Sequence, residues 1–216
     1  LYHCFGMVLG TLACCAAGAT MIYPSEGFEP DKTMHALKSE SCTAVHGVPT
    51  MFSAMLASSE FNGKPIKSLR TGIMAGSQCP EVLMRRVLYD LGCSEITIAY
   101  GMTETSPISF QSDVNDPVDV RVSTVGRIQP HCEVKIVEDD GSTCPVGQTG
   151  ELWTKGYLVM KGYWNDTEAT QSSIENGWMK TGDLATIDNE GFCRIVGRKK
   201  DMAVSYTHLR AHETSL

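Results

Sequence analysis

The chain has 216 residues, 42% hydrophobic and 20% charged, a size and composition ordinary for a globular protein with one domain or one and a half. Its net charge of −7 argues against a nucleic-acid surface, because the basic residues are scattered apart from Arg85-Arg86 and Arg198-Lys199-Lys200. Nine cysteines at irregular spacing, with no Cys-x-x-Cys pair, argue against a disulfide scaffold or structural metal and for reduced, mostly buried thiols in an intracellular protein.

Residues 5–20 are apolar and small, ending in Ala16-Ala17-Gly18-Ala19. The run has the look of a signal-peptide core, but His3 and Cys4 precede it where a basic segment belongs. It is also shorter than the roughly 20 residues that span a bilayer, so no stable membrane insertion is expected. The expected arrangement is a buried helix over 11–17 feeding a strand over 20–23. A helix follows over 32–39 with Asp31 as its cap, then a strand over 42–46 closed by Gly47-Val48-Pro49. Thr50 is placed to cap a helix reaching about residue 58. A strand over 69–74 ends in Ala75-Gly76-Ser77, Pro80 starts a helix that stops at Gly92, and a strand covers 95–100. This alternation predicts βαβ units and a largely parallel sheet.

From about residue 120 the texture changes to short β-rich stretches at 132–137, 150–154, 184–188 and 192–196. Asp188-Asn189-Glu190-Gly191 between the last two is a hairpin signal. The expected fold class is therefore α/β, with a parallel βαβ layer over 1–119 and an antiparallel β subdomain of the same domain over 120–197.

Ligands collect at the carboxyl ends of strands in open α/β sheets. Gly76, Ser77 and Gln78 leave room there for a flat ring, although an ordinary strand-to-helix turn has the same composition. In Tyr100-Gly101-Met102-Thr103-Glu104, Tyr100 can stack on a base and Gly101 permits close approach. Thr103 can donate to a phosphate oxygen and Glu104 can hold Mg²⁺, while a threonine followed by an acid is also helix-capping chemistry. Asp183, expected between Gly182 and the start of a strand, can accept from both hydroxyls of a ribose or can sit in a surface turn. Arg198, directly after a strand, can reach the same ribose or stand solvated, and His3 beside the apolar run reads first as a structural histidine.

Together these segments resemble the adenylate-forming acyl-CoA synthetase superfamily, which includes fatty acyl-CoA ligases and beetle luciferases. The likeness runs from Leu1 to Met202. Tyr2-His3-Cys4, Gly47-Val48-Pro49-Thr50-Met51-Phe52, Val125-Gly126-Arg127-Ile128 and the segment from Gly191 to Arg198 look most like its medium-chain fatty acyl-CoA ligase branch. The resemblance implies that Gly76, Ser77 and Gln78 face adenine, Tyr100 packs on it, Thr103 contacts the α-phosphate and Glu104 ligates Mg²⁺. It further implies a ribose contact for Asp183, a nucleotide contact for Arg198, and a place for His3 at the acyl–adenylate junction. Lys200, within 198–202, falls at a hinge to a small domain, and Val48, Met51 and residues 106–108 help wall an acyl tunnel. The implied reaction uses ATP to turn a fatty acid into an acyl-adenylate and then passes the acyl group to coenzyme A. Positioning and charge neutralisation carry such chemistry, and none of these residues is a covalent nucleophile. The same branch implies the mitochondrial matrix, with the cytoplasm as the alternative.

Three parts of the family pattern have no match: a Ser/Thr/Gly-rich phosphate loop upstream of Leu1, a glycine-rich segment after the hinge, and a small domain after Asp201. Residues 203–216, including His208 and His212, match no family segment and are expected to be foreign to the gene. The chain is thus expected to be an inactive large-domain fragment of a ligase. The alternatives are a non-catalytic nucleotide- or acyl-binding module and an adenylating enzyme for another acid.

Overall fold

A computed structural model describes residues 3–201; Tyr2, Met202 and the expected foreign tail with His208 and His212 lie outside the described residues. The chain opens with a wide π-helical segment, Phe5–Leu12, that runs into α1, Ala13–Ala17, and ends at Gly18 in the left-handed region. None of these helical residues is buried, contrary to expectation. Residues 20–23 do not form the expected strand. They fold back along the helix, with the Tyr23 hydroxyl 3.2 Å from Thr11 Oγ1, and so never reach a sheet edge.

Prolines set the next two helix starts. In α2, Pro30–Ser39, and in α3, Pro49–Leu56, proline occupies the first turn, where its missing N–H leaves no bond unmade. Neither Asp31 nor Thr50 is therefore a cap. The Asp31 carboxylate instead accepts from the Ser58 and Ser59 hydroxyls just beyond α3, which holds its pKa below the usual aspartate value and ties the two helices together.

Between these helices runs β1, Ala44–Gly47; after them come β2, Thr71–Met74, α4, Glu81–Tyr89, and β3, Glu95–Tyr100. β1, β2 and β3 are parallel, with Ala44 opposite Thr71 and Thr71 opposite Glu95. Two short strands, β4, Phe110–Gln111, and β5, Arg127–Ile128, continue the sheet antiparallel from β3. Between them α5, Val118–Ser123, sends Val122 into the same core, so this layer extends past residue 119. The core beneath it is rich in methionine: Met34, Met55, Met74 and Met84 are fully buried beside Phe52 and Ile96.

The second sheet contains β6, Cys132–Val137, and β7, Gly150–Gly156. After α6, Thr167–Ser173, come β8, Ile174–Glu175, β9, Trp178–Ile187, and β10, Cys193–Arg198. The strand order is β10-β9-β7-β6, all antiparallel, with β8 beside the start of β9. Alternate residues face inward, where Ile136, Leu152, Ala185 and Cys193 pack with Phe110. Outward, Lys135 sits 4.5 and 4.6 Å from the ring centres of Trp153 and Trp178. The β9–β10 turn forms as its sequence predicts: Asp188 Oδ1 accepts from the Glu190 and Phe192 N–H groups, and Gly191 takes a φ of 84°.

Backbone bonds between Val125 and Cys193, and between Cys193 and Gly126, fasten the two sheets (2.9 Å each). They bring the end of β10 beside the end of β3. All nine cysteines are free thiols, but only Cys93, Cys144 and Cys193 are buried, fewer than expected. No helix among the described residues is long and apolar enough to cross a membrane.

Candidate active site

A cleft of about 630 Å³ opens where β2, β3 and β10 end. His3, Gly76, Ser77, Gln78 and Tyr100 line it, as do Gly101, Asp183 and Arg198. Thr103, Glu104 and Lys200 do not. Its apolar wall is formed by Phe5, Leu9, Met102, Pro107 and Ile108; of the expected tunnel residues, Val48, Met51 and Ser106 stay outside it.

Asp183 is the buried charge of the cleft, 7% exposed. The Tyr100 hydroxyl donates to its Oδ2 at 2.5 Å, and Arg198 Nε lies 3.0 Å from its Oδ1. A buried carboxylate needs such partners, since desolvation is otherwise expensive. Burial, followed by the Asp183 charge, pushes the Tyr100 phenol well above its ordinary pKa, so it remains the proton donor of this pair.

The sequence expectation that Asp183 precedes a strand is corrected by the structure. β9 begins at Trp178 and carries Asp183 within it. Glu151 pairs with Leu184 and Trp153 with Lys180, so Thr181, Gly182 and Asp183 together face the single residue Leu152. Burial still alternates along β9, with Met179, Thr181, Asp183 and Ala185 inward, but the inward residues at the bulge are polar, so no apolar periodicity marks the strand there. Gly182 supplies the φ of 71° that the bulge requires. The Thr181 hydroxyl donates to the Leu152 carbonyl (2.8 Å) and accepts from the Asp183 N–H (3.1 Å), aiming the carboxylate at Tyr100 and Arg198.

Gly101 answers a demand of the chain itself, because a Cβ there would lie 1.9 Å from the Pro107 carbonyl oxygen. The turn that follows, Thr103–Thr105, is capped by Thr105, whose hydroxyl accepts from the Met102 N–H (3.1 Å). Thr103 is thus free of the capping role, and its hydroxyl lies 3.4 Å from the Cys4 thiol. Glu104 Oε1 accepts from the Tyr163 hydroxyl (2.8 Å), and the Glu104 carbonyl accepts from the Met160 N–H (2.9 Å). Both donors come from the loop between β7 and α6. The second carboxylate oxygen of Glu104 has no protein hydrogen bond among the described residues, which suits a cation held by one carboxylate and by substrate phosphates, the habit of Mg²⁺.

His3 Nδ1 accepts from the Phe5 N–H (3.1 Å), which places the ring proton on Nε2. Lys200 follows β10, and its neighbour Lys199 pairs with Asp139 (2.9 Å) and Glu151 (3.1 Å). Sequence reasoning missed Tyr163, Thr181 and Glu151. Thr181 stood in the Thr-Gly-Asp motif and was within reach; the other two act from distant positions in the chain.

The model of the AMP-binding enzyme family matches residues 1–164. YngI of Bacillus subtilis, described as an acyl-CoA synthetase, is 51% identical over 207 residues, 94% of this chain and 37% of its own. The mitochondrial medium-chain acyl-CoA ligase ACSF2 of Danio rerio is 42% identical over 206 residues, 94% of this chain and 34% of its own. The chain thus spans about a third of the length of these curated relatives. Among solved structures, o-succinylbenzoate CoA synthetase (MenE) of Bacillus subtilis with its acyl-adenylate intermediate superposes with a TM-score of 0.81 at 30% identity, covering 93% of this chain and 40% of that one. ATP-bound MatB of Rhodopseudomonas palustris gives 0.83 at 29% identity, covering 93% and 39%. With a family match across most of its length and these adenylate-forming neighbours, the chain belongs to the AMP-binding enzymes.

Proposed function

We propose that the chain forms the nucleotide- and acyl-binding part of an ATP-dependent acid–thiol ligase that activates a medium-chain fatty acid for transfer to coenzyme A. One observation carries the reading: the buried, doubly held Asp183 stands in the same cleft as an apolar wall of Phe5, Leu9, Pro107 and Ile108. A polar nucleoside and an acyl chain then fit side by side, as an acyl-adenylate requires.

In this reading Asp183 accepts from the ribose hydroxyls, Arg198 supports it, and adenine lies between Tyr100 and the Gly76–Ser77–Gln78 backbone. Thr103 donates to the α-phosphate, and Glu104 would hold Mg²⁺, which when bound offsets charge on the phosphates. The fatty-acid carboxylate bonds to the α-phosphorus as the bond to pyrophosphate breaks. The coenzyme A sulfur then bonds to the acyl carbon, AMP leaves, and the thiol proton passes to solvent. These residues contribute position and charge to both steps. His3, on the wall of the cleft, is assigned to the acyl–adenylate junction and Lys200 to the hinge. The ACSF2 relatives favour a mitochondrial location.

Calorimetric titration of the purified chain with an octanoyl-sulfamoyl adenosine tests the reading. Joining two ligand halves that bind together should improve affinity at least about tenfold over AMP. Affinity no better than that of AMP would remove the acyl subsite. The superposition of MenE and MatB, at TM-scores of 0.81 and 0.83, supports a second reading in which the acid is of another class. Pyrophosphate exchange by the complete protein with an acid panel separates the two.

A further inference from the structure

Glu151 lies outside the cleft and in none of the recognised motifs, yet its side chain is only 12% exposed. The bulge at 181–183 takes Gly182 out of the β7–β9 ladder, leaving its N–H without a strand partner. Glu151 Oε1 accepts from that N–H at 3.3 Å, while Oε2 accepts from Lys199 Nζ at 3.1 Å. An unpaired backbone donor at this depth would be costly, and the alternative open to the chain is to flatten the bulge and turn Asp183 away. Lys199 in turn also pairs with Asp139, which holds the Glu151 carboxylate against β6 and β7.

We infer that Glu151 is a positioning residue for the ribose-gripping carboxylate: by capping the Gly182 N–H it fixes the bulge that presents Asp183 to the nucleotide. The Lys199 ion pair orients Glu151 but is secondary, because an ammonium this exposed contributes little. This inference rests on the reading of Asp183 as the ribose contact. It separates the two roles of the carboxylate. Glu151→Gln keeps an oxygen that can accept from Gly182 and loses the ion pair. Glu151→Ala loses both, and Lys199→Met loses the ion pair alone.

The test is the dissociation constant of AMP and of 2′,3′-dideoxy-AMP for the purified full chain and its variants. Glu151→Ala should weaken AMP binding about tenfold, the scale of a hydrogen bond to a charged group. Glu151→Gln and Lys199→Met should stay within about twofold of the parent. The dideoxy nucleotide, which offers Asp183 no hydroxyls, should bind all of them alike. Parent-like AMP binding by Glu151→Ala alongside weakened binding by Asp183→Asn would overturn the positioning role. An equal loss for both nucleotides would also overturn it, since general disruption of the fold would then explain the effect. Unchanged AMP binding by Asp183→Asn would instead refute the ribose reading itself, so the two failures are told apart.

Discussion

The two sheets place their chemistry in different ways. In the β1–β5 layer the candidate residues stand where strands stop: Gly76, Ser77 and Gln78 after β2, and Tyr100 to Glu104 at and after β3. In the β6–β10 sheet the key residue stands in the middle of a strand, where pairing fails at the 181–183 bulge. The first arrangement is fixed by backbone crowding and the second by side-chain hydrogen bonds to backbone. The two regions should therefore respond differently to the same kind of change.

Glycine substitutions give the sharpest contrast. A Cβ on Gly72 would lie 1.9 Å from the Val45 carbonyl oxygen, inside the β1–β2 pair. Neither strand can yield without breaking register, so Gly72→Ala should lower stability by about 3 kcal/mol or more in urea unfolding. At Gly182 a Cβ would meet nothing within 4 Å, and only the φ of 71° opposes a side chain. Gly182→Ala should then lower stability by only about 1–2 kcal/mol. Equal losses at the two positions would erase the distinction between a crowded layer and an open bulge.

The same difference explains what the sequence disclosed. β3 and β6 were expected at 95–100 and 132–137 and are found there: Ile96, Thr97 and Ile98 give β3 a β-branched run, and in β6 Cys132, Val134 and Ile136 alternate with Glu133 and Lys135. β4, β5 and β8 have two residues each, too few for any periodicity to register. The Tyr100–Glu104 motif is contiguous and could be read directly. Glu151 and Tyr163 reach their partners across 31 and 59 residues, so only the folded chain brings them into view. At the bulge, Gly182 made a continuous strand look like a turn followed by a strand.

Thiols packed in or against the two cores compare them by pH. Burial pushes Cys79 and Cys93 in the first core region, and Cys193 in the second, up to about 12 from an ordinary 9.0. The unfolded chain releases these protons first as pH rises. Stability is therefore undiminished below about pH 9 and falls between 9 and 12, by at most about 1.4 kcal/mol per thiol per pH unit. Urea unfolding at pH 8 and pH 10 measures the slope. Replacing both Cys79 and Cys93 with alanine should flatten it more than Cys193→Ala does, and a slope indifferent to all three would show that other groups set it.

The smallest effect tests the contact that crosses between the regions. Tyr163, on the β-subdomain loop, donates to Glu104 of the α/β layer at 2.8 Å. Burial and then this bond raise the phenol's pKa, so the hydroxyl stays a donor at neutral pH. Tyr163→Phe keeps the ring and deletes the bond, a loss of about 0.5–1.5 kcal/mol at a partly exposed site. If Tyr163 fixes the Glu104 carboxylate for Mg²⁺, affinity for ATP measured with Mg²⁺ should fall by that amount. Affinity for AMP without Mg²⁺ should not change. An equal fall in both would reduce Tyr163 to loop packing. The Met160 N–H still donates to the Glu104 carbonyl in this variant, so the loop keeps its backbone anchor. A selective change in Mg²⁺ dependence would then report the orientation of one carboxylate, set by one region for use in the other.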